Sequence, residues 1–234
     1  MTDRTQPRRP RTRRARIALL SLLAVALPWS LSAAPAAPTA EQLGVARDYV
    51  VTARFVDLLD GMVNYMAENS AGSDSENDLA MKRRIVRDMS REVMTDSLAR
   101  SLASNAPIEV LKAGLAHAKS DIGRIEFACL SRWPQPAEGY QGCIEAGANK
   151  TQILRLAEHG ETESGWPLVG KLLKGDAIVI ALTAATRDLV ARDPEIAAQL
   201  SEYCQRKPGE GMCGAIVDKA PATPPAAGGS DGLP

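Results

Sequence analysis

Aromatic side chains make up only 4% of the 234-residue chain, with two phenylalanines, four tyrosines and three tryptophans. A core built from this sequence must therefore rely on Leu, Ile, Val, Met and Ala. Histidine occurs twice, at His117 and His159, and no two cysteines have the close spacing of a zinc knuckle. That leaves no metal-ligand set legible in the sequence. The C-x-x-C pattern of a thiol–disulfide exchanger is missing as well. So are G-x-G-x-x-G and the phosphate loop, which argues against a nucleotide or other cofactor. The longest apolar run near the N-terminus, Ile17 to Leu27, is shorter than the ~20 residues a membrane-spanning helix needs. No cysteine follows that run, which excludes lipid attachment there, and no internal repeat is found.

What is present begins with a leader. Seven arginines, Arg4 to Arg16, precede the apolar run, Pro28 breaks it, and small residues follow. A basic start, a short apolar middle and small residues form the pattern of an export signal. Cleavage is expected after Leu31-Ser32-Ala33 or Ala34-Pro35-Ala36. Arg13-Arg14 invites a twin-arginine route, but Arg16-Ile17-Ala18 does not continue that motif, so the general route ranks first. The composition points to a bacterium, and hence to a periplasmic or secreted protein.

Loss of the leader changes the charge balance. The whole chain has 28 basic and 28 acidic residues; removing seven arginines and Asp3 leaves 21 against 27, close to −6. Such a domain repels phosphate backbones, which argues against nucleic acid as a partner. The roughly 200 remaining residues are enough for a well-buried core. All four cysteines, Cys129, Cys143, Cys204 and Cys213, survive processing. In an oxidising compartment an even count reads as disulfides, with three possible pairings. The spacing favours local pairs, Cys129–Cys143 and Cys204–Cys213, because each pair flanks a turn-rich segment, "RWPQPAEGYQG" and "RKPGEGM".

Helical periodicity dominates the rest. After the linker "APAAP", Thr39 and Gln42 have capping-box spacing. Leu43, Ala46, Val50, Ala53, Val56, Leu59, Val63 and Met66 then trace one face of a long helix. Ser73 or Ser75 caps a second helix with Leu79, Ile85, Met89, Val93, Leu98 and Leu102 inward. Its outer face is expected to carry Lys82, Arg83, Arg84, Arg87 and Arg91, balanced by Asp88, Glu92 and Asp96. Pro107 opens a third helix in which Ile108, Leu111, Leu115, Ala118, Ile122, Ile125 and Cys129 step by three and four. His117 lies off this stripe and is expected to face solvent. "NKTQILRLAEHG" is a short helix whose terminal His159 is expected to complement the helix dipole with partial positive charge. "AIVIALTAA" fits a buried strand or a buried helix. Helix is preferred because Val179, Leu182 and Leu189 continue a helical pattern. Asp193-Pro194-Glu195 opens a last helix reaching Cys204, and "APATPPAAGGSDGLP" has the composition of a disordered tail.

Two resemblances bear on function. The stretch "SLARSLASNAPIEVLKAGLAHAKSDIGRI", within residues about 80–126, resembles a widespread exported bacterial all-helical domain of unknown function. Ser120 and Gly123 match its Ser-x-x-Gly, Glu109 and Leu111 its Glu-Leu step, and His117-Ala118 stands where that family has an aromatic pair. The resemblance implies a helical periplasmic protein and carries over no functional residue. Ser120 and Gly123 themselves read as small residues that let helices approach closely. Separately, "TESGWP", Thr162 to Pro167, resembles the Glu-Ser-Gly-Trp segment of lytic transglycosylases, whose glutamate is the general acid. Such a carboxyl needs a cleft that raises its pKa. The segment that builds the family's groove does not follow here, and Glu163 reads as an exposed loop acid.

The sequence therefore describes an all-α multi-helix bundle with two local disulfides and a disordered C-terminal tail. Its parts are a signal peptide and linker (1–36), three long helices (37–130), a helical lobe carrying the disulfides (131–219) and the tail (220–234). No catalytic, cofactor-binding or metal-binding residue is assigned. The expected partner is a protein or a cell-envelope component, and the chain is not expected to span a membrane once the signal is gone. A peptidoglycan lytic enzyme using Glu163 is the alternative. An apolar groove between helices would favour binding; a cleft enclosing Glu163 would favour lysis. N-terminal sequencing of the exported protein should find a start between Ala34 and Ala37. An intact arginine-rich leader in the mature fraction would refute the leader assignment.

Overall fold

The computed structural model describes residues 37–69, 74–132, 138–209 and 211–213. Among these residues there are eleven α-helices, one 3-10 turn and no strand. The helices are α1 (Ala40–Thr52), α2 (Phe55–Asn69), α3 (Glu76–Asp88), α4 (Arg91–Asn105), α5 (Ile108–Lys119), α6 (Asp121–Leu130), α7 (Gly139–Gly147), α8 (Lys150–Gly160), α9 (Trp166–Leu173), α10 (Gly175–Arg192) and α11 (Pro194–Arg206). The 3-10 turn is Gly211–Cys213. The leader, the tail after Cys213 and the "WPQPA" segment lie outside the described residues.

The three long helices of the sequence pattern are each two shorter ones. α1 and α2 meet at Ala53–Arg54, where Arg54 takes a left-handed φ of 56°. α3 and α4 meet at Met89–Ser90, because the Ser90 hydroxyl caps α4 by accepting from Val93 N–H at 3.3 Å. α5 and α6 meet at Ser120, which ends one helix and caps the next, its hydroxyl accepting from Gly123 N–H at 3.1 Å. A hydroxyl that competes for the backbone in this way favours a helix start over a helix interior. Gly123 lacks a Cβ for a reason: one built there would lie 1.9 Å from the His117 carbonyl oxygen. The Ser-x-x-Gly is thus a helix corner, with the close approach made by backbone.

Caps explain the other starts. Thr39 accepts from Gln42 N–H at 3.1 Å, but the box stays half-formed. The Gln42 side chain donates instead to the carbonyls of Ala103 and Ala106, at 2.8 and 2.9 Å, and ties α1 to the end of α4. Ser75 and Asp78 form a full reciprocal capping box. Asp193 caps α11 with Pro194 in its first turn. The sequence pattern missed α7 altogether, since its nine residues hold two internal positions of a core and three glycines.

One core joins the two halves that the sequence pattern separates at residue 130. α4 packs against α1 and α10, and α1 also against α5. Tyr49, Phe55 and Phe127 cluster at centroid distances of 5.9 to 6.0 Å, which places both phenylalanines of the chain together. Leu98, Leu102, Leu168, Leu172, Leu189, Ile196 and Leu200 belong to the same core. A smaller cluster, Ile122, Cys129, Cys143, Ile144 and Leu156, holds α6, α7 and α8 together.

Both cysteine pairs are local, as the spacing favours. Cys129–Cys143 and Cys204–Cys213 are bonded, with Cα separations of 5.7 and 5.5 Å. A closed loop of this length contributes ~3 kcal/mol in the chain-entropy model. Two glycines should respond oppositely to alanine. Gly123→Ala should cost at least ~2 kcal/mol, because a rigid backbone carbonyl blocks the methyl group. Gly44→Ala, at an exposed α1 position with open space around its Cβ, should stabilise by ~0.5–1 kcal/mol through helix propensity. Urea denaturation of both variants reads this; equal effects would contradict the corner at Ser120.

Candidate functional site

An apolar groove lies between α2, α3 and α10. Val63 and Met66 of α2, Ile85 of α3 and Met89 just after it, and Val179 and Leu182 of α10 wall a space of about 640 Å³. Its origin is visible in the α10 sequence. The run "AIVIALTAA" is apolar on more than one face, yet within it only Ala177, Ala181 and Ala185 are deeply buried. Small residues four apart form a low ridge that lets a neighbouring helix come close. Ile178 and Leu182 pack partly against the core, while Val179 and Ile180 face outward, 61% and 55% exposed. Val179 is therefore not the core residue that the helical pattern suggested. Across the groove Met66 is 52% and Tyr65 41% exposed. Single exposed apolar side chains are ordinary, but neighbouring ones around a concave surface mark a contact site.

Lys82, which lines the groove, belongs to a charged network. Lys82, expected on an outer face, is buried and donates to Asp74 at 2.8 Å. Lys207 donates to the other Asp74 oxygen, and Arg206 makes a two-pronged contact with Asp78 at 2.7 and 3.3 Å. All three cations lie over the buried Tyr203 ring, Lys82 nearest at 5.0 Å from its centroid. Hydrogen bonds from Lys207 and Lys82 hold Asp74 below its ordinary pKa, and Arg206 does so for Asp78. The network fastens the start of α3 to the end of α11. Of the remaining basic side chains on α3 and α4, Arg84 reaches Asp193 and Glu195, and Arg91 reaches Asp57 and Asp60. Arg84 and Arg91 of the basic stripe thus link helices, whereas Arg87 pairs with its own neighbour Asp88.

The two histidines come together, which the sequence did not suggest. His117 is not solvent-facing: its side chain is 11% exposed, and its Nε2 lies 2.5 Å from an oxygen of the buried Glu126. The His159 ring stacks on it at 3.6 Å, nearly parallel. Tyr140 donates to the other Glu126 oxygen at 3.4 Å, and the buried Tyr49 hydroxyl has no hydrogen-bond partner. Burial, and then the Glu126 charge, raise both tyrosine pKa values. Burial, followed by the His117 ring, lowers the His159 pKa below 6.5, against weaker opposition from Glu126 and a hydrogen bond to the Ser164 backbone. The expected partial charge on His159 is therefore disfavoured. Among the described residues no group of three or more His, Cys, Asp or Glu side chains is arranged to hold a metal ion.

The "TESGWP" segment has a structural explanation. Thr162 donates to the His159 carbonyl at 2.7 Å and contacts the Ser164 hydroxyl at 3.0 Å. Gly165 packs on the same carbonyl, where a Cβ would lie at 2.1 Å. The segment folds back over the end of α8 and starts α9. Ser164 is buried, Glu163 is exposed, and Trp166 stands against Tyr140 at 5.7 Å while remaining 43% exposed. Among the described residues none buries the Glu163 side chain.

No family model, curated protein or solved structure matches this chain. Among the described residues no helix is long and apolar enough to cross a membrane. The disulfides and the lack of such a helix are compatible with a secreted or periplasmic protein.

The histidine stack should make stability depend on pH. With its folded pKa below 6.5, His159 binds fewer protons in the native than in the unfolded state. Its contribution is complete above pH 6.5 and is lost as pH falls toward the lowered value. The melting temperature should therefore drop between pH 7.5 and 5, and drop less in His159→Phe, which keeps the stack without the titration. Parallel profiles for the two proteins would show that the stack does not carry the effect.

Proposed function

We propose that this is an exported, non-enzymatic helical module that binds a protein or a cell-envelope component through the groove between α2, α3 and α10. The groove is the observation that carries the reading. Its walls are apolar side chains held by rigid helices, and it opens to solvent where Val179 and Met66 are more than half exposed. An amphipathic helix laid into such a groove places its apolar anchors at helical spacing against it. The leader supports export, the paired cysteines fit an oxidising compartment, and the resemblance of residues about 80–126 to an exported helical domain agrees with both. The lytic alternative asks for a sequestered carboxyl, and the exposed Glu163 does not supply one.

A photo-crosslinking amino acid tests the groove in cells. Placed at position 179 it should give a discrete adduct, which Met66→Arg suppresses at least several-fold by putting an unpaired charge into the wall. The same probe at Arg83, an exposed position of α3, should give none. Equal labelling from both positions would reject the groove as the binding surface. Purified protein should release no muropeptides from peptidoglycan; release that is lost in Glu163→Gln would replace the binding reading with the lytic one.

A further inference from the structure

Methionine is concentrated at the groove. The chain has seven methionines, one of them Met1 in the leader. Of the others, Met66, Met89 and Met212 line the groove, while Met62, Met81 and Met94 do not. Their exposure is graded. Met66 on α2 is 52% exposed, Met212 and Met62 are half-buried against the core, and Met81, Met89 and Met94 are buried. Met89 is shielded twice, because its sulfur also accepts a hydrogen bond from the Thr186 hydroxyl at 3.7 Å. A flexible, polarizable thioether suits a wall that must fit a partner. The same sulfur is a nucleophile toward peroxides and hypohalous acids, which react with it only where they can reach its lone pair. Met66 is the methionine that the fold leaves open to them.

We propose that Met66 is an oxidation site, and that its conversion to the sulfoxide weakens binding of apolar partners in the groove. The effect on binding rests on the groove being the binding surface argued above; the site of oxidation does not. With hydrogen peroxide as the oxidant, the sulfur lone pair attacks one oxygen, the O–O bond breaks and an S–O bond forms. The departing hydroxide takes the proton from the oxygen now on sulfur and leaves as water. Sulfur is oxidised and peroxide is reduced. The product carries a strongly polar oxygen on the α2 wall, where the groove is otherwise apolar. An apolar partner strips that oxygen of water and offers it no hydrogen bond, which costs binding free energy. A partner already seated covers the sulfur, so occupancy and oxidation oppose each other. Sulfoxide reductases restore the thioether, so the change is reversible.

The test uses the disulfide-intact full chain, dilute hydrogen peroxide and anilinonaphthalene sulfonate, a dye that fluoresces in apolar surroundings. Timed peptide mapping by mass spectrometry should find Met66 converted at least about tenfold faster than Met89 or Met94. The peroxide-treated protein should bind the dye at least about threefold more weakly, and Met66→Gln, which places a polar group there permanently, should do so without peroxide. Met66→Leu should keep its dye affinity through the same treatment. Conversion of Met66 no faster than that of Met89 would overturn the oxidation site. A loss of affinity in Met66→Leu as large as in the parent chain would move the effect to another methionine and overturn the role of Met66. Selective oxidation that leaves dye affinity unchanged, while Val179→Arg lowers it, would keep the groove and overturn its control by Met66. Dye affinity that neither Val179→Arg nor oxidation changes would overturn the groove reading and the control together.

Discussion

The close packing of α10 on α4 is the constraint on which the rest of the structure depends. It joins the two halves of the chain into one core, to which α10 contributes Ala181, Ala185 and Leu189. Small residues minimise the gap between helices and so preserve dispersion contacts along their length. The same economy leaves Val179 and Ile180 without a place in the core. Val179 becomes part of the wall opposite α2 and α3. Tight core packing and an open apolar surface are thus two results of one residue pattern.

Polar groups are buried where they fasten elements together. Asp74 and Asp78 receive cations from α3 and from the end of α11, over the face of Tyr203. Removing one partner from such a set leaves an uncompensated charge, which is far costlier than the pair is beneficial. Glu126 plays a similar part between α5, α6 and α7, shared by His117 and Tyr140. The histidine stack then extends this link to α8. Both networks stand beside a disulfide, so covalent and electrostatic links reinforce the same regions. Cys204–Cys213 ties α11 to the 3-10 turn whose Gly211 and Met212 line the groove, and Cys129–Cys143 holds the small α6–α8 cluster.

On these features we propose a recognition module. The buried acid–base groups are engaged with each other across helix junctions, and Glu163, the side chain with a catalytic resemblance, is exposed on a turn that has a structural purpose. The apolar groove, by contrast, is a surface whose cost is exposed hydrocarbon, and a binding partner would relieve that cost.

The sequence by itself determined the helical class, the starts of α1, α3, α5, α8 and α11, and the local cysteine pairs. Each of these depends on residues within a few positions of one another: a hydroxyl and an N–H three residues on, a proline in a first turn, two thiols flanking a short loop. Local signals failed where one helix pattern concealed a corner. Ser120 and Gly123 keep the apolar stripe of α5 in step with that of α6, so periodicity alone reads through the break. Only the tertiary structure decided that Lys82 turns inward, that His117 meets His159 and Glu126, and that Val179 faces a groove. Those outcomes are set by side chains 8 to 133 positions apart in sequence, as in Lys82–Asp74 and Lys207–Asp74. A charge on a helix has no inner or outer face until a partner at close range compensates its desolvation, and that partner is supplied by the fold.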